Sequence, residues 1–365
     1  MKKIVLLCQQ IGCPFELSPA RYQLLDELLE RNYEVYVLFP GYIPNKTMRD
    51  KIDCFVNTEE MSEREIRNRI RQISPASVIA FTYEDARILY QLPLLMKNTN
   101  FYYYNLEIYT WAYEKRAHRA GIYGFLEGML TYIANKTKEI RYVKNTKLFV
   151  IQDELRKKVS QKHFIRHKHT MLIPNSYVFD KDNLCGEEAN GVCYSGGLYS
   201  VWTGMLSDGI EKVSRTPITF AGWGSVSFSK KISKMPNMKV VFQQLLPDEY
   251  DAFLKQYAVG LICYSEIEDD NVNFIGMASG KYFKYLSLGQ PVIGMHCLGM
   301  EKDIKRYGLG IVIDDVSKLD EAYEQIITNY RYYRDNVRRV YREKYDYKKV
   351  IRPFLEYLEK QENDK

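Results

Sequence analysis

Short apolar segments alternate with helical patterns along almost the whole chain of 365 residues. The apolar segments are rich in β-branched and aromatic residues, and each has the length of one strand. Consecutive strands separated by a helix pair in parallel, because the helix returns the chain to the same end of the sheet. The sequence therefore predicts an α/β fold in which helices cover both faces of parallel sheets. The predicted strands are 3–7, 34–39, 77–81, 100–104, 147–151, 191–194, 217–220, 238–241, 259–263, 291–294 and 310–313.

A polar segment divides this alternation into two blocks. Ile-Pro-Asn at 173–175 is followed by DKDNLCGEEANG at 180–191, a composition typical of a linker. We expect two Rossmann-like, doubly wound domains facing across a cleft, with the C-terminal helix packing back on the first domain. The predicted boundaries are 1–174 for the first domain, 175–190 for the linker, 191–330 for the second domain and 331–365 for a helical tail.

The composition excludes several classes of protein. A net charge of +6 is too small for a chain of this length to indicate nucleic-acid binding. The apolar run at 4–8 is too short for a signal peptide, and no apolar run is long enough to span a membrane. The seven cysteines lack C-x-x-C spacing, which fits reduced thiols. We therefore expect a cytoplasmic protein.

The stretch SGKYFKYLSLGQPVIG, at 279–294, carries the strongest functional signal. It predicts a helix that ends at glycine and leads into a buried strand. Lys281 and Lys284 lie three residues apart near the start of this helix, where the helix dipole is already positive. Two cations in that position predict an anionic ligand.

Two glycine-rich loops follow earlier strands of the same predicted sheet. Gly196 and Gly197 follow one strand, and Gly222-Trp223-Gly224 follows the next. Amides beside glycine can approach an anion closely, and an indole between glycines can accept a flat base. A tight turn and local packing of the tryptophan are the alternative interpretations. Because the carboxyl ends of parallel strands share one edge, we expect the two loops and the lysine helix to converge on a nucleoside diphosphate.

The order strand-GG, strand-GxG and K-x-x-x-Y-L-x-x-G-x-P-V-I resembles the C-terminal domain of GT-B glycosyltransferases. It is most similar to the large group 1-like family that builds bacterial polysaccharides from nucleotide sugars. LIPNS at 172–176 is similar to the family's I-P-N-G linker, and TKLFVIQDELRKKV at 146–159 to the strand and helix that close its first domain. Many members carry two glutamates where this chain has Gly276 and Lys284, so the usual carboxylate contact to the ribose is missing.

The resemblance implies a metal-independent glycosyltransferase without a cofactor, since the nucleotide sugar is a co-substrate. Lys281 and the amides of Gly196 and Gly197 would stabilise the departing diphosphate. The acceptor, a glycan or lipid-linked glycan, would bind the first domain near Gly12 and Arg21. The implied donor-binding residues are Gly196, Gly197, Gly222, Trp223, Glu266, Ser279, Gly280, Lys281 and Lys284.

A catalytic carboxylate is expected in the first domain. The segment FYYYNLEIYTW, at 101–111, places Glu107 after a strand and among aromatic residues, where a carboxylate can deprotonate an acceptor hydroxyl. Asp85, after another strand end, is a competing carboxylate. The alternative for Glu107 is a structural role at the strand end.

Three other patterns are weaker. His163, His167 and His169 form H-x-x-x-H-x-H, and the first pair has the i,i+4 spacing of a zinc site. No carboxylate or thiol lies close to them in the sequence, and the positive charges of Lys162, Arg166 and Lys168 oppose a metal ion. The acidic run within 265–273 also suggests a metal, although we expect none there. Asp180-Lys181-Asp182 matches D-x-D by letter only and is expected to be solvated.

The segment 115–147 holds eight lysines and arginines interleaved with apolar and aromatic residues. A basic amphipathic helix of this kind can lie on an anionic membrane, here at its inner face. A core helix with a charged outer face is the alternative interpretation. No RNA- or DNA-binding motif accompanies the charge.

We therefore expect a glycosyltransferase of cell-surface polysaccharide biosynthesis. A sugar-nucleotide epimerase on the same fold and a non-catalytic nucleotide-sugar-binding protein are the alternatives.

Overall fold

The computed structural model describes residues 2–9, 15, 18–41, 43, 46–52, 54–118, 121–198, 206–224, 226–242, 247–264 and 266–363. The chain forms two compact units. Unit 1 comprises Met1–Pro174, Asp269–Asn271 and Val350–Lys365, and unit 2 comprises Asn175–Glu268 and Val272–Lys349. Residues 175–190 thus belong to unit 2, and the C-terminal segment 331–365 is divided between the units.

Unit 1 is built on a parallel sheet. Its strands, within the described residues, are β1 Lys3–Leu7, β2 Glu34–Phe39, β3 Cys54–Asn57, β4 Ser77–Ala80, β5 Asn100–Tyr104, β6 Leu148–Ile151 and β7 Thr170–Leu172. They pair in the order β3-β2-β1-β4-β5-β6-β7. The direction of winding reverses between β1 and β4, which makes the carboxyl ends of these strands the expected place for a ligand. The predicted doubly wound sheet is confirmed.

The helices of unit 1 cross over between these strands. They are α1 Pro19–Glu30, α2 Lys46–Lys51, α3 Glu63–Ile73, α4 Tyr83–Leu89, α5 Leu92–Leu95, α6 Trp111–Ala117, α7 Ile122–Lys144 and α8 Glu154–Lys162. The central strands β4, β5 and β6 are buried along their whole length. Burial on both faces is the reason for their almost continuous apolar sequence.

Unit 2 has a second parallel sheet. Its strands are β8 Val192–Ser195, β9 Ile218–Ala221, β10 Met238–Val241, β11 Val259–Cys263, β12 Val292–Met295 and β13 Gly310–Ile313, in the order β10-β9-β8-β11-β12-β13. The helices that follow in the chain are α9 Val226–Ile232, α10 Pro247–Leu254, α11 Asp270–Asn273, α12 Gly280–Ser287, α13 Glu301–Tyr307, α14 Leu319–Thr328 and α15 Tyr330–Val340. Two helices complete the chain, α16 Tyr347–Val350 and α17 Arg352–Asn363.

The C-terminal helix α17 packs on unit 1, as predicted. The Phe354 ring makes edge contacts with Tyr102 and Tyr104 of β5. The Glu362 carboxylate accepts hydrogen bonds from Ser77 Oγ at 2.6 Å and Tyr33 Oη at 3.1 Å. Aromatic packing and a satisfied buried carboxylate therefore hold the last helix against the first sheet.

Candidate functional site

Two glycine loops meet at the carboxyl edge of the unit 2 sheet. A Cβ atom at Gly222 would lie 1.9 Å from the carbonyl oxygen of Gly196, and one at Gly224 would lie 2.5 Å from the carbonyl carbon of Leu198. Both glycines also have positive φ angles, of 150° and 156°. Backbone packs directly on backbone here, which excludes any side chain. The predicted convergence of the loops is present, and it explains why the second loop needs two glycines.

Lys281 reaches the same edge from the first turn of α12. Its Nζ lies 4.3 Å from the centre of the Tyr194 ring and 4.7 Å from that of Tyr264, and it donates a hydrogen bond to Tyr194 Oη at 3.2 Å. A Cβ atom placed on Gly196 would lie 3.5 Å from this ammonium. The lysine is therefore held between two tyrosines beside the first glycine loop.

The environment of Lys281 is poor in negative charge. No carboxylate of the described residues forms an ion pair with its ammonium. Burial lowers the pKa of Lys281 from 10.5 to about 8. The neighbouring Cys263 thiol is no counter-ion near neutral pH, because burial raises its pKa to about 12. A cation desolvated in this way is stabilised when an anion arrives.

The backbone donors of the first loop differ from the prediction. The Gly196 amide donates to the carbonyl oxygen of Ala221 at 2.9 Å, and the Leu198 amide donates to that of Trp223 at 2.8 Å. Neither N–H group is therefore available to an anion. The Gly197 amide lies between them and has no acceptor among the described residues. Gly196 therefore serves close packing and not the anion contact that was predicted. The backbone N–H of Gly197 remains available to donate a hydrogen bond to an anion.

Lys284 does not provide the second free cation that the sequence suggested. Its Nζ forms an ion pair with Asp251 at 2.5 Å and lies 4.2 Å from the centre of the Tyr177 ring. The side chains of Lys284 and Asp251 are only 10% and 18% exposed. The predicted ligand role does not fit this environment. Lys284 is part of a largely buried ion pair.

Ser279 and Gly280 form the start of α12. Ser279 is buried, and its Oγ accepts a hydrogen bond from the Tyr282 amide at 3.2 Å. It also shares a 2.6 Å hydrogen bond with Tyr264 Oη. The Ser279 side chain therefore caps the helix and positions Tyr264, in place of the predicted contact with the nucleotide-sugar donor. Gly280 remains half-buried beside it.

Tyr285 fixes the position of the lysine helix and was not assigned a role from the sequence. Its hydroxyl donates to the Cys193 carbonyl at 2.8 Å and accepts from the Ser195 amide at 2.9 Å. Its ring lies over Gly260 of β11, where a Cβ atom would come within 2.3 Å. The tyrosine of the K-x-x-x-Y-L pattern thus ties α12 to strands β8 and β11.

The two remaining residues that were predicted to bind the nucleotide-sugar donor are exposed. Trp223 is 50% exposed at the tip of the second loop. Glu266 is also exposed, in the segment that follows β11. Both side chains are accessible to a ligand.

Unit 1 has a cavity of about 430 Å³ at the carboxyl edge of its own sheet. Its volume is in the range of small-molecule sites. Four carboxylates and one guanidinium line it, together with two tyrosines, and these residues are Glu59, Glu63, Glu84, Glu107, Arg87, Tyr83 and Tyr113. The cavity is therefore acidic and partly aromatic, which suits a polyhydroxyl compound better than an anion.

Within this cavity, Glu84 is a candidate base that the sequence did not reveal. Burial, and the nearby charges of Asp85 and Glu107, raise the pKa of Glu84 to about 7. Glu107 lines the same cavity in an exposed position. A carboxylate that titrates near neutrality beside a substrate-sized cavity can accept a proton.

Asp85 and Arg21 have structural roles. Asp85 is fully buried, and its carboxylate accepts hydrogen bonds from the amides of Gln9, Phe81 and Thr82 at 2.7–2.9 Å. Arg21 is also fully buried, and its charge lowers the pKa of Asp85. The burial of Asp85 has the larger and opposite effect, so the pKa of Asp85 is raised to about 6. Arg21 therefore does not present its side chain to an acceptor. Gly12, the other acceptor candidate, lies outside the described residues.

Asp269 and Asp270, in the acidic run, belong to unit 1 and contact basic groups of the same unit. Asp269 pairs with Arg116 at 2.7 Å, and Asp270 pairs with Lys162 at 2.7 Å. His163, one of the zinc candidates, contacts the same Asp270 carboxylate at 2.9 Å. Over the described ranges, no cluster of three or more histidine, cysteine or acidic side chains is arranged to hold a metal. Asp180 and Asp182 are exposed, like the lysine between them.

Comparison with solved structures shows the same fold across the whole chain. HepE of Anabaena, solved with UDP and glucose, aligns with a TM-score of 0.71 at 11% identity, covering 99% of this chain and 100% of HepE. Sucrose-phosphate synthase of Thermosynechococcus elongatus aligns with a TM-score of 0.70 at 10% identity, covering 100% of both chains. WaaG, a glycosyltransferase involved in lipopolysaccharide biosynthesis, aligns at 0.63 and 14% identity, covering 97% of this chain and 99% of WaaG.

These likenesses define the class of fold: the chain has the GT-B glycosyltransferase fold, as the resemblance in sequence implied. No family model matches the sequence, and no curated protein matches it.

Proposed function

We propose that the chain is a glycosyltransferase that transfers a sugar from a nucleotide-sugar donor to a hydroxyl group of a glycan or lipid-linked glycan. The proposed setting is cell-surface polysaccharide biosynthesis. The observation that carries the proposal is the ammonium of Lys281, desolvated and without a carboxylate partner among the described residues, where two glycine loops meet. The diphosphate of a nucleotide sugar supplies the missing charge. HepE, which shares the fold, has been solved with UDP-glucose, so uridine donors are the first to test.

In the proposed reaction, the bond between the anomeric carbon and the diphosphate oxygen breaks while the acceptor oxygen bonds to that carbon. The proton of the acceptor hydroxyl passes to a base. Lys281 stabilises the negative charge that develops on the departing diphosphate, with the Gly197 amide as a second donor. Because these groups supply the positive charge, we propose a reaction that is independent of metal. Trp223 would contact the base of the nucleotide, and Glu266 the hydroxyls of the sugar.

We assign the acceptor to the cavity of unit 1. Its tyrosines offer flat apolar surfaces to a sugar ring, and its carboxylates accept hydrogen bonds from hydroxyl groups. Glu84 is the favoured proton acceptor because its pKa of about 7 lies near physiological pH. Glu107 contributes to that pKa through its charge and would bind the acceptor from the exposed side of the cavity.

A ligand screen followed by product analysis tests the proposal. Thermal unfolding is measured with UDP-, GDP-, ADP- and dTDP-sugars, and the sugar nucleotide that raises the melting temperature is then offered with glycan and lipid-linked acceptors. We expect release of the nucleoside diphosphate that depends on the acceptor, with the glycosylated product detected by mass spectrometry. Conversion of the donor without an acceptor would indicate an epimerase. Binding without conversion would indicate a binding protein, and the absence of any binding would refute the proposal.

A further inference from the structure

Helix α7 presents apolar side chains to solvent. Ile122, Leu126, Leu130 and Ile133 follow one another at helical spacing along one side, and they are 77%, 44%, 64% and 53% exposed. Tyr123, next to this stripe, is 90% exposed. A surface helix normally turns such a stripe towards the protein core. In the first three turns of α7, the apolar stripe faces solvent instead.

The opposite side of α7 explains the reversal. Gly124 and Gly128 face the unit, and a Cβ atom at Gly128 would lie 3.2 Å from the ring of His118 and 3.4 Å from that of Trp111. The small residues let α6 and the segment after it approach α7 closely. The alternative interpretation, a core helix with a charged outer face, is therefore wrong for this part of α7.

Polar contacts hold the next turns of α7 against the unit. Lys136, counted from the sequence among the surface cations, is buried and bonds to the Glu139 carboxylate and the Tyr109 carbonyl, each at 2.7 Å. Its charge is satisfied inside the protein and does not contribute to the outer surface.

The outer side of α7 continues into positive charge. Arg141 and Lys144 follow the apolar residues on the same side, and Lys147 is exposed just after the helix. No carboxylate of the described residues pairs with these three side chains. Glu127 is exposed near the apolar stripe, with its carboxylate 3.7 Å from His118 Nδ1. The surface is thus apolar at one end of the helix and basic at the other. Arg119 lies outside the described residues.

We propose that this side of α7 is a docking surface for a membrane that contains anionic phospholipids. The helix lies parallel to the membrane plane, with the apolar part, about 17 Å long, in the boundary between headgroups and acyl chains. The basic part contacts lipid phosphates, whose charge complements it. The surface, called the α7 face below, consists of Ile122, Tyr123, Leu126, Leu130, Ile133, Arg141 and Lys144.

A second copy of the chain fits the α7 face less well. A symmetric contact would bury the apolar stripes of both copies and draw their unpaired cations towards one interface. In the described part of α7, Glu127 is the one exposed carboxylate that could balance them, and like charges at an interface oppose association. Within the described residues, no helix combines the length and apolar composition needed to cross a bilayer. Attachment through the α7 face is therefore peripheral.

Vesicle flotation of the full chain tests this inference. Vesicles of phosphatidylcholine alone are compared with vesicles that also contain phosphatidylglycerol, at low and high salt. We expect binding to the anionic vesicles that weakens with salt. The double variant Leu126→Gln/Leu130→Gln should reduce the partition coefficient at least about 100-fold, because two leucines no longer enter the membrane. Arg141→Gln/Lys144→Gln should abolish the preference for phosphatidylglycerol.

The matched control is Leu94→Gln/Leu95→Gln, which replaces two leucines that are 62% and 60% exposed elsewhere in unit 1. This control should bind vesicles as the wild type does. Equal loss in both double variants would overturn the assignment to α7, and failure of the wild type to bind anionic vesicles would overturn the inference altogether. A dimer in solution that Leu126→Gln/Leu130→Gln dissociates would assign the face to a second copy instead. None of these outcomes depends on the nucleotide-sugar chemistry.

Discussion

Replacing Lys281 with methionine should both stabilise the protein and weaken diphosphate binding. The lowering of the Lys281 pKa from 10.5 to about 8 corresponds to about 3 kcal/mol of unfavourable free energy for the charged form in the folded state. Attraction to the two tyrosine rings offsets about 1–2 kcal/mol of this. Methionine retains the aromatic contacts without the charge. The Lys281→Met variant should therefore gain about 1–2 kcal/mol near pH 7, which raises the melting temperature by about 3–5 °C.

The pH dependence of this gain follows from the direction of the pKa shift. Between pH 8 and 10.5 the unfolded chain keeps a proton on Lys281 that the folded protein has lost, so wild-type stability rises with pH in that window. The advantage of Lys281→Met should be full below pH 8 and should vanish as the pH approaches 10.5. Calorimetric or urea unfolding across this range measures the difference in free energy.

Lys284→Met is the matched control, since it makes the same substitution one turn along α12. It removes one partner of a largely buried ion pair and leaves Asp251 without its cation, which should destabilise unit 2 by about 2–4 kcal/mol. Titration calorimetry with UDP then compares the affinity of the two variants with that of the wild type. Lys281→Met should weaken UDP binding about 10–100-fold, the loss expected for a charge-assisted hydrogen bond, while folded Lys284→Met should bind UDP as the wild type does. Unchanged UDP affinity in Lys281→Met, or a loss of stability at pH 7, would refute the reasoning.

Three further outcomes are expected. Affinity for UDP should fall as the pH rises through about 8, because Lys281 loses its charge; calorimetry from pH 6 to 9.5 measures this, and a flat profile would contradict it. The kcat/KM of sugar transfer should rise with pH through about 7 as Glu84 ionises, and Glu84→Gln should remove that rise while Glu107→Gln keeps it; the reverse pattern would make Glu107 the base. Gly222→Ala should destabilise unit 2 by more than about 2 kcal/mol in urea unfolding, since its Cβ would meet the Gly196 carbonyl, and a neutral effect would show that the loops can separate.

The buried strands of both sheets were predictable because burial on two faces leaves a continuous apolar signal. The bounds of β1, β2 and β5 agree with the prediction. The strands that the sequence did not reveal are β3 and β7, at the two edges of the unit 1 sheet. None of their residues is fully buried, so their sequences lack that signal.

The candidate site was only partly predictable. The position of two lysines near the start of a helix, together with the resemblance to the K-x-x-x-Y-L pattern, was enough to single out Lys281 as a candidate. The role of Lys284 was not predictable, because its partner Asp251 comes from a different helix. Glu84 was missed for a similar reason, since its raised pKa comes from burial in the folded unit.

The contact between Gly260 and Tyr285 limits which substitutions unit 2 can accept. The ring occupies the space of the missing side chain, and its hydroxyl joins the backbones on either side of Tyr194, which itself contacts Lys281. Enlarging Gly260 alone would displace the ring, and shortening Tyr285 alone would leave a void above β11. The two positions should therefore covary in distant homologues, with a bulkier strand residue accompanying a smaller helix residue.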